Sequence, residues 1–178
     1  LAEGRLLFYG IAERWKMSVT FNAFEIFEIA EKIERNGAKF YRRAAELFDD
    51  SRTRNMFLQL ADWETTHEQV FADMRKELSA QGPELRTFEP ENSVVFDAQS
   101  MAGLAVFGNM MDPSEELTGK ESITDVLKSA IEKEEDSIVF YTGLEAFIPA
   151  SADKDRIGDI IREEMHHVRI LNESLEWR

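Results

Sequence analysis

The sequence predicts an all-α protein: four long helices arranged as a four-helix bundle, two helical hairpins joined by a long crossover. Three observations carry that prediction. Four segments space their apolar residues three and four apart, with almost no Gly or Pro inside them. The breaks between the first and second segments, and between the third and fourth, are only a few residues long, so each pair must fold back as antiparallel neighbours. The stretch from Gly82 to Ser122, by contrast, separates the two pairs widely.

Taken in order, residues 1–16 precede the first Met of the chain, Met17, and are expected to be an N-terminal extension or leader, with one domain over residues 17–178. Leu6-Leu7-Phe8-Tyr9 lies between Glu3 and Arg14 without a small-residue cleavage pattern, which makes it a poor secretory signal. The first helix should start at Asn22, an N-cap with Glu25 three residues on, and run to about Asp49. Ser51 is the expected cap of a second helix reaching about Ala80, where Gly82-Pro83 stops it. Within the crossover, Val94 to Met111 is apolar enough to pack along the bundle, with a short helix, before Asp112-Pro113. Ser122 with Asp125 forms the next capping pair, for a third helix from Ile123 to Ile148 ended by Pro149. The fourth runs from about Asp153 to Trp177.

Composition narrows the function. At 178 residues and 43% apolar, the chain can fill one core. Asp and Glu outnumber Lys and Arg 35 to 21, and a net charge of −14 repels phosphate backbones and anionic lipid, so neither nucleic acid nor membrane is an expected partner. The absence of Cys excludes disulfides, thiolate zinc sites, iron–sulfur clusters and cysteine nucleophiles; any metal must be held by carboxylate and imidazole. The longest apolar run, Met101 to Met111, falls short of the roughly 18 residues of a membrane helix. With no targeting signal and no disulfides, a cytoplasmic location is the expectation.

An internal repeat carries the chemistry. A shift of 100 residues superposes the second hairpin on the first without a gap. The inward stripe of the first helix is Phe27, Ala30, Glu34, Gly37, Tyr41, Ala44 and Phe48; that of the third is Leu127, Ala130, Glu134, Ser137, Tyr141, Leu144 and Ile148. In the second helix the stripe contains Phe57, Leu60, Glu64, His67 and Phe71, and in the fourth Ile157, Ile160, Glu164, His167 and Leu171. Four Glu and two of the chain's three His therefore point into a seam that should hold Leu and Phe. Burying one unpaired carboxylate costs several kcal/mol, and four together need positive charge between them. Two ferrous ions bring four positive charges, and the imidazoles add ligands without charge. The arithmetic closes on a dimetal site, in which each Glu-x-x-His offers both side chains from one helix face.

Other residues are less decisive. His166, with Glu163, is rotated about 100° off the stripe and reads as a solvated pair or an outer partner of the ligands. Tyr41 and Tyr141 lie two turns beyond Glu34 and Glu134 on the same face, and their buried hydroxyls need partners, a ligand carboxylate of the facing helix among them. Gly37 and Ser137 are small either to leave space beside the metals for dioxygen or peroxide, or to let helices approach closely.

The pattern resembles the rubrerythrin-like branch of the ferritin-like superfamily: Glu34 ahead of Phe40-Tyr41, Glu64 with His67, Glu134 ahead of Phe140-Tyr141, and Glu164 with His167, over about residues 20–177. The resemblance implies a ferritin-like bundle with a dinuclear non-haem iron centre, Glu64 and Glu164 bridging, and Glu34, His67, Glu134 and His167 terminal. No catalytic residue beyond these ligands is implied. Members of the family reduce hydrogen peroxide or dioxygen, or oxidise ferrous iron, in two-electron steps. Classical rubrerythrins carry a further carboxylate where this chain has Ser137, which leaves their redox-linked ligand exchange without its residue here. They also carry a four-Cys rubredoxin domain, so electrons would have to come from an external donor such as a rubredoxin or a reductase. Bacterioferritin shares the ligand order, but Thr65 stands where its haem-ligating Met would be, and no haem is expected. The resulting expectation is a peroxide- or dioxygen-reducing oxidoreductase, a homo-oligomer with a dimer favoured. The alternatives are a bacterioferritin-like ferroxidase or iron-storage protein, and a structural bundle holding manganese or zinc in the same ligands.

Overall fold

The computed structural model describes residues 23–80, 116–148 and 152–177. Residues 1–16, the Asn22 cap, the Gly82-Pro83 stop, the Val94–Met111 segment, Asp112-Pro113 and Pro149 lie outside the described residues. Four helices make up the described fold: α1 (Ala23–Leu47), α2 (Ser51–Ala80), α3 (Ile123–Phe147) and α4 (Ala152–Glu176).

Local chemistry sets their ends. Asp50, not Ser51, caps α2: its Oδ2 accepts from Thr53 N at 2.9 Å and from Thr53 Oγ1 at 2.6 Å, and its carbonyl accepts from Arg54 N. Two adjacent residues were both able to cap, and the one whose side chain reaches the third helical N–H decides the start. At α3 the Ser122–Asp125 capping box forms as expected. Just before it, Gly119 takes φ +84°, a conformation few L residues adopt, in a turn whose backbone N–H groups bond the Glu121 carboxylate.

Two apolar clusters define the topology. One contains Ile26, Phe27 and Ala30 from the start of α1, Phe71 and Met74 from late α2, Phe140 and Leu144 from late α3, and Ile157 and Ile160 from early α4. The other contains Phe40 and Ala44 from late α1, Phe57 and Leu60 from early α2, Val126 and Leu127 from early α3, and Leu171 from late α4. Thus α1 runs antiparallel to α2 and α3 and parallel to α4. Helix α2 finishes at the end of the bundle opposite to where α3 begins. This is the up-down-down-up order of a ferritin-like four-helix bundle. Within the single chain α1 packs on α2 and α3 on α4, with α1 beside α3 and α2 beside α4 across the bundle.

The two clusters do not merge. A polar layer lies between them, and of the eight buried polar residues among those described, six belong to it. No described helix is long and apolar enough to cross a membrane.

Candidate metal centre

Each helix delivers its donors to the middle layer. Helix α1 contributes Glu34, α2 Glu64 and His67, α3 Glu134, and α4 Glu164 and His167, each at most 5% exposed. The six residues fall into two overlapping groups: Glu34, Glu64, His67 and Glu164; and Glu64, Glu134, Glu164 and His167. In each group one donor atom per residue lies within 4.8 Å of all the others. Glu64 and Glu164 belong to both.

Both imidazoles turn Nδ1 inward. His67 Nδ1 lies 2.9 Å from Glu164 Oε1 and 3.5 Å from Glu34 Oε2. His167 Nδ1 lies 3.0 Å from Glu164 Oε2, 3.3 Å from Glu64 Oε1 and 3.6 Å from Glu134 Oε2. The rings are nearly parallel, 5.6 Å apart at 19°.

The electrostatics of this layer are those of carboxylates that lack a counter-charge. Burial pushes Glu64 well above the usual carboxylate range, and the charges of Glu164, Glu134 and Glu34 push it further. Burial and the Glu164 charge do the same to Glu134. For the histidines burial acts downward, but contacts with Glu164 and Glu34 lift His67 to about 11, and contacts with Glu134 and Glu164 lift His167 to about 9. Burial acts upward on Glu164, yet close contacts with Glu134, His167 and His67 hold it below its ordinary value. Both Glu34 oxygens, Glu64 Oε1, Glu164 Oε1 and His67 Nδ1 are buried without a hydrogen-bond partner. Such atoms are rare in a folded protein and point to an ion that they would hold. The all-oxygen-and-imidazole donor set suits a non-haem first-row metal.

Aromatic residues frame the layer. Tyr41 donates a hydrogen bond from its hydroxyl to Glu134 Oε1, so α1 steadies the carboxylate of α3. Tyr141 is also fully buried, but its hydroxyl has no hydrogen-bond partner; burial raises it well above the usual phenol range, and the Glu34 charge adds to that. Phe40 and Phe140 pack edge-on against their neighbouring tyrosines at 77° and 73°. On the α1–α3 side a cavity of about 60 Å³ reaches Glu64, Glu134 and Tyr41, bordered by Gly37, Phe40 and Ser137. Glu116 and Lys133 also line it and form a 2.8 Å ion pair, with Lys133 Nζ 5.2 Å from the centre of the Phe40 ring. Gly37 borders the cavity, and a Cβ there would lie 2.8 Å from Glu64 Oε2, so its bareness seats that carboxylate.

The structure brings all six seam residues together. It separates Glu163 from His166: Glu163 crosses to α2 and bonds His67 Nε2 at 2.7 Å, whereas His166 stays outside the layer, its Nδ1 2.8 Å from Arg169 Nη2. Two features escaped the sequence. Trp63 stacks on His167, 5.1 Å away at 16°. Glu31, off the seam, is 4% exposed and forms a two-pronged ion pair with Arg75, whose guanidinium also lies over Phe24. The signal for Trp63 and Glu163 was their shared place, four residues before each seam histidine on antiparallel helices, which sets each level with the other helix's histidine.

The comparisons agree with this geometry. The sequence model of the rubrerythrin family matches residues 25–175. A solved structure from Thermotoga maritima, described as a ferritin-like diiron-carboxylate protein, is 25% identical; the match covers 88% of this chain and 96% of that one, with a TM-score of 0.66. No curated protein matches.

Proposed function

The chain belongs to the rubrerythrin family, and from that premise we propose that it is a non-haem diiron oxidoreductase that reduces hydrogen peroxide or dioxygen in two-electron steps, with electrons from a separate donor. The observation that carries this reading is the pair of donor groups sharing Glu64 and Glu164. Glu34, Glu64, His67 and Glu164 would hold one iron ion, and Glu64, Glu134, Glu164 and His167 would hold the other. Iron held in this way supplies two electrons to a small oxidant and takes them back singly.

The chain's own residues do the remaining work. Four carboxylates match the charge of two ferrous ions, so the loaded layer carries little net charge between two apolar clusters. Tyr41 fixes one Glu134 oxygen and leaves the other to face the site. Glu163 accepts from the outer nitrogen of His67, which selects the tautomer whose Nδ1 is free to ligate. The cavity of about 60 Å³ is large enough for dioxygen or peroxide, and Phe40 and Ile33 supply the apolar part of its walls. None of these 178 residues is a Cys that could hold a rubredoxin-type iron, and the reading assigns electron delivery to a separate donor such as a rubredoxin or a reductase.

Anaerobic titration of chelated protein with ferrous iron, followed by mixing with peroxide or dioxygen, tests the reading. Saturation at two irons per chain and faster oxidation by peroxide, followed by the near-ultraviolet absorption of the diferric protein, is the expected result. Continued uptake beyond two irons under dioxygen would replace it with iron storage. Failure to bind iron stoichiometrically would leave a structural or zinc-holding bundle.

A further inference from the structure

The two sides of the polar layer are built differently. Towards α1 and α3 lies the small cavity; towards α2 and α4 lies a file of flat rings. His67 stacks on His167. His167 stacks on Trp63 at 5.1 Å and 16°. Trp63, half-buried, meets the exposed His166 edge-on at 5.8 Å and 62°. Along the repeat, Trp63 corresponds to Glu163, a carboxylate bonded to His67. A hydrogen bond on the outer nitrogen is the common way to orient a ligating imidazole. One histidine has it. At the other the same position carries an indole laid flat on the ring, the largest π-system among the side chains.

We infer that Trp63 is the electron relay of this site, carrying single electrons from an external one-electron donor at the α2–α4 surface to the metal side of His167. The inference rests on the redox reading above. In each transfer the donor loses one electron, the electron crosses the indole and the imidazole, and one ferric ion becomes ferrous; two transfers from two donor molecules restore the diferrous pair. No bond to the indole forms or breaks. The geometry keeps the two traffics apart, with the oxidant arriving through the cavity beside Gly37 and Ser137 and the electrons arriving through Trp63. Ring contact between Trp63 and His167 shortens the through-space gap that limits tunnelling.

Two measurements test it. The first needs no turnover: cobalt(II) added to protein stripped of metal should quench the indole emission of the wild type by a larger fraction than that of Trp63→Phe, which keeps Trp15 and Trp177. Equal quenching in both would remove Trp63 from the site. The second uses iron-loaded protein, oxidised with one equivalent of peroxide and then reduced anaerobically with methyl viologen radical in a stopped-flow instrument. Trp63→Leu should slow reduction by about tenfold while iron content and the preceding peroxide oxidation stay at wild-type values. Trp63→Phe, which keeps a ring on His167, should fall between. Reduction of Trp63→Leu at the wild-type rate, or a loss shared equally by oxidation and reduction, would overturn the relay and leave Trp63 a packing residue. If Trp63→Leu does not hold iron, Trp63→Phe decides: a reduction rate equal to the wild type's removes the indole from the path. A wild-type protein that binds cobalt but shows no iron redox cycle would end the redox reading itself, a result distinct from any of these.

Discussion

The two halves of the site are copies on the inside and strangers on the outside. Across the 100-residue shift, Glu34 and Glu134, Tyr41 and Tyr141, Glu64 and Glu164, and His67 and His167 are all buried at equivalent places. One turn outward the equivalence ends. Glu163 bonds His67 where Trp63 stacks on His167, and the ion pair of Glu31 with Arg75 corresponds to Ile131 and Leu175, which pack against the apolar cluster. Charge neutrality fixes the inner residues on both sides, because any of the four carboxylates left alone would be a buried charge. The outer residues answer only to packing and to what each half does, so they were free to diverge.

The largest effect should come from the residues that the halves share. Glu164→Ala removes a carboxylate common to both donor groups and should abolish stoichiometric uptake of two metals, whereas Glu34→Ala, which touches one group, should leave one metal bound. Equilibrium titration with ferrous iron or cobalt reads the difference. Two metals bound by Glu164→Ala would break the idea that the halves meet at this residue.

Next come the residues that differ. Glu31→Ala strands Arg75 against α1 and should cost about 2 kcal/mol, below the figure for a fully buried pair because Arg75 keeps part of its guanidinium in water. The double variant Glu31→Ile with Arg75→Leu copies the second hairpin into the first, and should unfold within about 1 kcal/mol of the wild type. Urea unfolding of the three proteins measures both. A double variant as weak as the single one would mean that the halves cannot exchange their outer contacts.

At the ligands themselves the asymmetry should be visible in metal affinity. Glu163→Ala frees the outer nitrogen of His67 and should weaken one of the two metals about tenfold, splitting a single titration step into two. The solvated reading of Glu163 predicts no split.

How much of this was legible in the sequence follows from the same division. The six seam residues could be read because a three-and-four spacing reports burial, and because buried carboxylates have few uses apart from cations. The tyrosines were legible as a pair, but only Tyr41 reaches its carboxylate; a hydroxyl's last ångström depends on helix packing that spacing does not encode. Trp63 and Glu163 act across the bundle on the other hairpin's histidine, so their roles depend on the register between α2 and α4 and not on either helix alone. Glu31 lies one residue from a seam position, and spacing alone gives no reason to bury it. Its burial comes from Arg75, forty-four residues away. The cap of α2 moved by one residue because Asp50 and Ser51 are both competent and the backbone chose.

The smallest expected effect is also the most discriminating, because it should change sign with metal. Gly37 and Ser137 occupy the same position in the two halves. Replacing a helical Gly with Ala ordinarily gains up to about 1 kcal/mol, and Ser with Ala about half of that. For Ser137→Ala that gain should appear with and without metal. At Gly37 the new Cβ would lie 2.8 Å from Glu64 Oε2 and 3.1 Å from its Cδ. In chelated protein the Glu64 carboxylate is the free end of a flexible side chain and can swing aside, so Gly37→Ala should raise the melting temperature. In loaded protein a carboxylate shared by both donor groups would be held by metal and could not, so the same variant should bind the metals more weakly and lose its advantage. Thermal melts of both variants, each with chelator and with cobalt, make the comparison. A gain at Gly37 that survives loading would place Glu64 away from the position that both donor groups require of it.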